Sequence, residues 1–154
     1  MTNDDATHIL CHFGDHTLPK AEWTHDAHLA ACWAVVATTS APDALGFLRN
    51  AIRSYNEATG VANTPTSGYH ETLTAYFVYT VAGLQADSVD AVLAAPRCRR
   101  DAPLRHWSRS RLFSECARSM WVEPDLEPLP PAVERSMEQA ALSVKRETGR
   151  GRCA

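Results

Sequence analysis

The sequence predicts an all-α fold: a single compact domain of about five to six helices, with an extended proline-rich segment towards its C-terminus. Three observations carry this. Helix start signals precede most of the apolar stretches, as at Thr24, Ser40 and Ser114. Apolar residues recur at three- and four-residue spacing, as in Leu45, Leu48, Ile52 and Tyr55. Four prolines, Pro124, Pro128, Pro130 and Pro131, fall within residues 123–131, which must then be extended. The 154 residues suit one domain spanning 1–154 rather than two.

Taken in order, residues 1–23 are mixed and end at the breaker Pro19. A helix follows Thr24, a good N-cap with Asp26 in the first turn, and runs to Thr38. Ser40-Ala41-Pro42-Asp43 starts another, with proline near the first turn, and Gly60 stops it after Thr59. Residues 61–68 form a loop by composition. A third helix runs from near Gly68 to Gly83; at about 15 residues it is too long for an ordinary strand despite its threonines and aromatics. Asp87 to Ala95 is a short helix closed by Pro96, and Cys98 to Asp101 is a connector. Pro103 opens a segment containing Ser108 to Leu112, and Ser114 restarts a turn reaching Met120. Beyond the prolines, Ala132 to about Glu147 suits a last amphipathic helix, and residues 148–154 read as a disordered tail. The proline segment can wrap its own domain or swap onto a neighbour, which leaves a homodimer open.

Composition narrows the partners. Fifteen Lys and Arg against 18 Asp and Glu give a formal charge of −3, so the overall balance offers no basic surface for nucleic acid or an anionic membrane. Thirteen of the 15 basic residues are Arg, which favours forked contacts to carboxylate or phosphate. The N-terminal stretch has no apolar run of the kind a signal peptide needs. The longest apolar run, Leu29 to Ala37, is half of the ~18 residues of a membrane span. The five cysteines, at 11, 32, 98, 116 and 153, show no CxxC and no disulfide-scaffold spacing, and read as reduced thiols of a cytoplasmic protein.

Several polar groups sit where packing alone does not need them. His25 and His28, at i and i+3, share one helix face, and Cys32 extends that stripe. In Tyr69-His70-Glu71-Thr72-Leu73-Thr74, His70 and Thr74 lie on an otherwise apolar face. Asn56 continues an inward stripe, where an amide needs partners; it could orient a histidine or ligand, or simply meet a neighbouring loop. Arg105, Trp107 and Arg109 could clamp an anionic small molecule, though salt bridges to Glu115, Glu123 and Asp125 explain these arginines as well. His8, His12 and His16 lie at i, i+4 and i+8, but Gly14 and Pro19 argue against a helix through His16, so all three read as surface residues.

These blocks together, Trp23-Thr24-His25-(x)2-His28-Leu29, Tyr55-Asn56, Gly68 to Thr74, Trp107-Ser108-Arg109-(x)-Arg111-Leu112-Phe113-Ser114 and Trp121 to Pro130, resemble a family of small bacterial helical proteins with a WTHxxHL…YHETLT…SRxRLFS…VEPDLxPLP pattern. The resemblance spans residues 18–130. It implies that the polar blocks act together, and brings no activity or cofactor with it. His106 departs from it, standing where an aromatic residue is expected before Trp107.

The functional expectation is a small enzyme acting on a small polar or anionic molecule at a histidine-rich pocket. In its metal-assisted form, His25, His28 and His70 ligate one divalent transition ion (Zn, Fe, Cu or Ni). Glu71 then serves as general base or ligand-orienting carboxylate, with His70 as its catalytic neighbour. Asn56, Tyr69, Thr74, Arg105, Trp107 and Arg109 are the expected substrate contacts. Two alternatives stand beside it: a metal-free lyase, isomerase or cyclase using the same His and Glu groups, and a non-catalytic helical module that binds a small molecule. All rest on imidazoles from two different helices meeting in one hollow.

Overall fold

The structure is a computed structural model and describes residues 1–139. Those residues form eight α-helical segments and no strand: α1 (Asn3–Gly14), α2 (His25–Val36), α3 (Ala41–Ala58), α4 (Glu71–Leu84), α5 (Val89–Ala94), α6 (Arg109–Leu112), α7 (Glu115–Ser119) and α8, helical over 131–139. Short 3-10 turns occupy Lys20–Glu22, Pro96–Cys98 and Ala102–Arg105. The rest of the expected last helix and the expected tail lie outside the described residues. The all-α class holds, with more helices than expected. α6 and α7 are separate single turns, and α1 falls in a stretch read from sequence as mixed.

Local chemistry accounts for α1. Thr2 and Asp5 form a reciprocal cap: Thr2 Oγ1 accepts from the Asp5 amide at 3.1 Å, and Asp5 Oδ2 accepts from the Thr2 amide at 2.7 Å. Gly14 ends this helix rather than forbidding it, and His16 beyond it takes φ +64°. His8 and His12 therefore do share a helix face, their ring centroids 4.2 Å apart, whereas His16 leaves it and meets Ser54. Both α2 and α3 start at the expected caps, Thr24 and Ser40, and Gly60 at φ +77° follows the end of α3.

α2 packs against α1, α4 and α5, while α3 lies along α4. The core is rich in aromatics: Phe13, Tyr55, Tyr76 and Trp107 are fully buried. Phe13 stacks on Trp23 at 4.1 Å, and Trp23 stacks on His28 at 3.8 Å, so α1 backs the start of α2. Two buried hydroxyls find carbonyls, Tyr55 donating to Leu18 and Tyr76 to Arg97.

The proline segment wraps its own domain. Asp125 accepts from the Ser108 amide at 2.8 Å and its hydroxyl at 2.6 Å, and the Leu126 amide donates to the His106 carbonyl. Leu129 is buried beneath it. Where α8 begins, the carbonyl of Ala132 lies only 2.7 Å from where a Cβ on Gly83 would stand. Among the described residues no helix is long and apolar enough to cross a membrane.

That close approach makes a prediction. Gly83→Ala gains about 1 kcal/mol of helix propensity but forces α8 off α4, a strain of about 1–3 kcal/mol. We expect a net loss, seen as a lower urea midpoint; an unchanged or raised midpoint would show that α8 yields freely.

Candidate functional site

The first turn of α4 is built by its own polar residues. His70 is the N-cap, with extended backbone, and its Nδ1 accepts from the Leu73 amide at 3.3 Å. Its Nε2 donates to the Leu112 carbonyl at 2.8 Å, tying α4 to α6. This pattern places the proton on Nε2 and leaves a neutral ring, and burial lowers its pKa accordingly. Thr74 donates to the His70 carbonyl, and Arg118 reaches the carbonyls of Gly68 and Tyr69.

Glu71 points elsewhere. Arg49 on α3 forks onto it, Nε to Oε2 at 2.8 Å and a terminal nitrogen to Oε1 at 2.6 Å, and the Tyr69 hydroxyl donates to Oε2 at 2.9 Å. Burial pushes the Glu71 carboxyl up, but these donors outweigh it and hold the pKa below the usual range. The Tyr69 phenol is pushed up, by burial first and then by the Glu71 charge.

The loop before α4 is organised by Asn63. Its Oδ1 accepts from Asn56 Nδ2 at 2.9 Å and from the Tyr69 amide at 3.1 Å, and its Nδ2 donates to the Arg53 carbonyl. Gly68 completes this loop at φ +76°, where a Cβ would come within 2.6 Å of the Ala62 carbonyl oxygen.

Between α2, α3, α4 and this loop lies a cleft of about 680 Å³. His25, His28, Asn56, Tyr69, His70 and Thr74 all line it, so six of the expected site residues do converge. Aliphatic and aromatic side chains such as Leu48, Ile52, Leu73 and Phe77 make up most of the remaining wall. His28 donates Nδ1–H to the Thr24 carbonyl at 2.6 Å, leaving Nε2 as a bare lone pair with no partner among the described residues. Burial, reinforced by the charges of His25 and Arg100 against the Thr24 hydrogen bond, lowers the His28 pKa to about 4. His25 uses Nε2 on the Cys98 carbonyl at 2.8 Å and sets its ring edge-on to Phe77. Burial pushes up the Cys32 thiol at the cleft wall; it also pushes up the Cys98 thiol, the latter to about 11.

Several of the expected groups meet partners within the fold or lie outside the cleft. Both ring nitrogens of His70 are engaged within the fold, Nδ1 by the Leu73 amide and Nε2 by the Leu112 carbonyl. Among the described residues no three His, Cys, Asp or Glu side chains are grouped to hold an ion, so the set His25, His28, His70 is not assembled. Glu71 is not a free general base, because Arg49 and Tyr69 close both its oxygens. Trp107 is fully buried core, its indole N–H donated to the Val122 carbonyl. Arg105 and Arg109 stand outside the cleft, the first facing Glu127 at 3.6 Å, the second lying 5.5 Å over the Phe113 ring. His106 is likewise a core group, packed by Tyr76 and Trp107. Arg100 was not singled out from sequence yet lines the cleft; it stands in a connector with no helical period, so nothing local marked its direction.

Comparison with models of protein families, with curated proteins and with solved structures returned no match.

Two predictions follow from the neutral imidazoles and the closed carboxylate. His28 and His70 have folded pKa values below the ordinary 6.5, so the unfolded chain binds more protons between about pH 6.5 and pH 4. Stability is therefore complete above about pH 6.5 and falls as the pH drops towards 4. Urea midpoints measured across that window should show this slope, and His28→Gln should flatten it; an unchanged slope would assign it to other groups. Glu71→Gln, which strips the charge from a pair whose Arg49 side chain is 38% exposed, should cost about 1–2 kcal/mol in the same assay. No loss would mean that the pair only balances its own desolvation.

Proposed function

We propose that this chain is a helical module that binds a small, largely apolar organic molecule in the cleft between α2, α3 and α4, without a metal. One observation carries the reading: a hollow of about 680 Å³, mostly apolar, is lined by two imidazoles that each keep one ring nitrogen unpartnered among the described residues, His25 Nδ1 and His28 Nε2. Such a mixture of apolar wall and a few convergent polar points is what small-ligand sites offer. His28 Nε2 accepts a hydrogen bond from a ligand hydroxyl or amide, and Asn56, Tyr69 and Thr74 lie at the same wall.

The metal-assisted reading has less support. Two ring nitrogens, one on His25 and one on His28, fall short of the three protein ligands usual in a catalytic site. Acid–base catalysis has less support too. A His28 pKa of about 4 makes a weak base at neutral pH, where a catalytic base is best matched near 7.

Titration with N-phenyl-1-naphthylamine, an uncharged dye that brightens in apolar surroundings, tests the reading. We expect saturable binding that is at least about tenfold weaker in Ile52→Trp and in Leu73→Trp, which put an indole into the cleft from α3 and from α4 respectively. Circular dichroism checks that each variant is folded. No saturable binding, or binding that both folded variants leave unchanged, overturns the proposal.

A further inference from the structure

We infer that the molecule this cleft takes is an anion, an apolar acid whose single oxyanion group is held by Arg100. This rests on the small-molecule reading above and adds the ligand's charge to it. Among the described residues lining the cleft, Arg100 alone carries a formal charge, and no Asp or Glu lies there. Two of the three cleft histidines, His28 and His70, add nothing to this balance, since burial holds them neutral at pH 7.

Arg100 is also left over by the protein itself. Several guanidiniums elsewhere in the domain are matched, Arg49 by Glu71, Arg118 by two carbonyls and Arg111 by the Glu123 carbonyl. Those of Arg97 and Arg135, like that of Arg100, have no such partner among the described residues, but neither of them lines the cleft. Next to Arg100 in the chain, Asp101 is faced by Arg99 at 3.8 Å. Arg100 has no acidic, carbonyl or aromatic partner among the described residues. Its charge reaches the cleft, where it adds to the burial that holds His28 neutral.

The mount is firm although the side chain is exposed. Arg100 sits between the 3-10 turns Pro96–Cys98 and Ala102–Arg105. Cys98 is buried, its amide bonded to the Ala95 carbonyl and its own carbonyl bonded to His25 Nε2. The Ala102 amide closes the other side onto the Arg99 carbonyl at 3.0 Å. A guanidinium offers a planar fork to carboxylate, sulfonate or phosphate oxygens. Beside apolar walls, an uncompensated positive charge attracts an anion more strongly than it would in open water. The body of the ligand then lies along Leu48, Ile52, Leu73 and Phe77, with its charged end at the connector.

The test uses two dyes with the same aromatic body. 1-Anilinonaphthalene-8-sulfonate carries one sulfonate; N-phenyl-1-naphthylamine carries none. Arg100→Gln, a change at an exposed connector position, should weaken the sulfonate dye about tenfold and leave the uncharged dye within about twofold. Raising salt from about 0.05 M to about 0.5 M should weaken the sulfonate dye in the unmodified protein and much less in the variant. Decanoate should displace it better than decanol, and decyl phosphate in the same series distinguishes a carboxylate preference from a phosphate one. Equal effects of Arg100→Gln on both dyes, or no effect on either, overturn the anion assignment while leaving the cleft a binding site. Sulfonate-dye binding that Ile52→Trp and Leu73→Trp leave intact would place the dye elsewhere and overturn the underlying reading instead.

Discussion

A neutral imidazole holds the first turn of α4 in place. His70 accepts from an amide of its own helix and donates to the carbonyl that ends α6, two bonds from two different nitrogens. Only the neutral tautomer with its proton on Nε2 does both, since a protonated ring has no lone pair for Leu73. Burial supplies that neutrality. Around this one residue the neighbouring parts take position: Glu71 turns to Arg49 on α3, Thr74 caps back onto His70, and Arg118 steadies the carbonyls before it. Because α3, α6 and α7 are all tied to this one turn, the walls of the cleft are fixed relative to one another.

The same burial that shapes the cleft shapes its chemistry. Burial lowers the pKa of an imidazole at its wall, as at His28, and a carboxylate just outside it is paired, as Glu71 is. Apolar walls cannot tolerate an isolated charge deep inside, so the uncompensated one stands at the exposed connector, on Arg100. A hollow of this kind recognises a ligand by shape and apolar area, with orientation set by a few polar points. The aromatic stack of Phe13, Trp23 and His28 shows how far the support extends: α1, which takes no part in lining the cleft, backs the ring that does.

What is legible in a helix from its sequence is direction. The spacing of His25 and His28 puts them on one face, and the stripe from Leu45 to Asn56 aims the amide inward; both reach the cleft. Asn56 meets the loop through Asn63, the plainer of its two expected roles. Legibility fails where a partner lies far along the chain. Glu71 looks like a base beside His70 until Arg49, 22 residues earlier, is seen to fork onto it. Trp107 looks like a pocket wall until Val122 and Tyr76 enclose it. Thr2 and Asp5 mark the start of α1, whereas Gly14 and Pro19 bear only on whether a helix continues through His16.

By itself, then, the sequence determined an all-helical chain, most of its caps and the inward faces of α2, α3 and α4, because these follow from backbone hydrogen bonding and a 3.6-residue period acting within one segment. Tertiary structure alone decided which polar groups are consumed by the fold and which are left to act. That choice depends on distances between segments, through which Glu71 finds Arg49, His70 finds Leu112, and Arg100 finds no partner among the described residues.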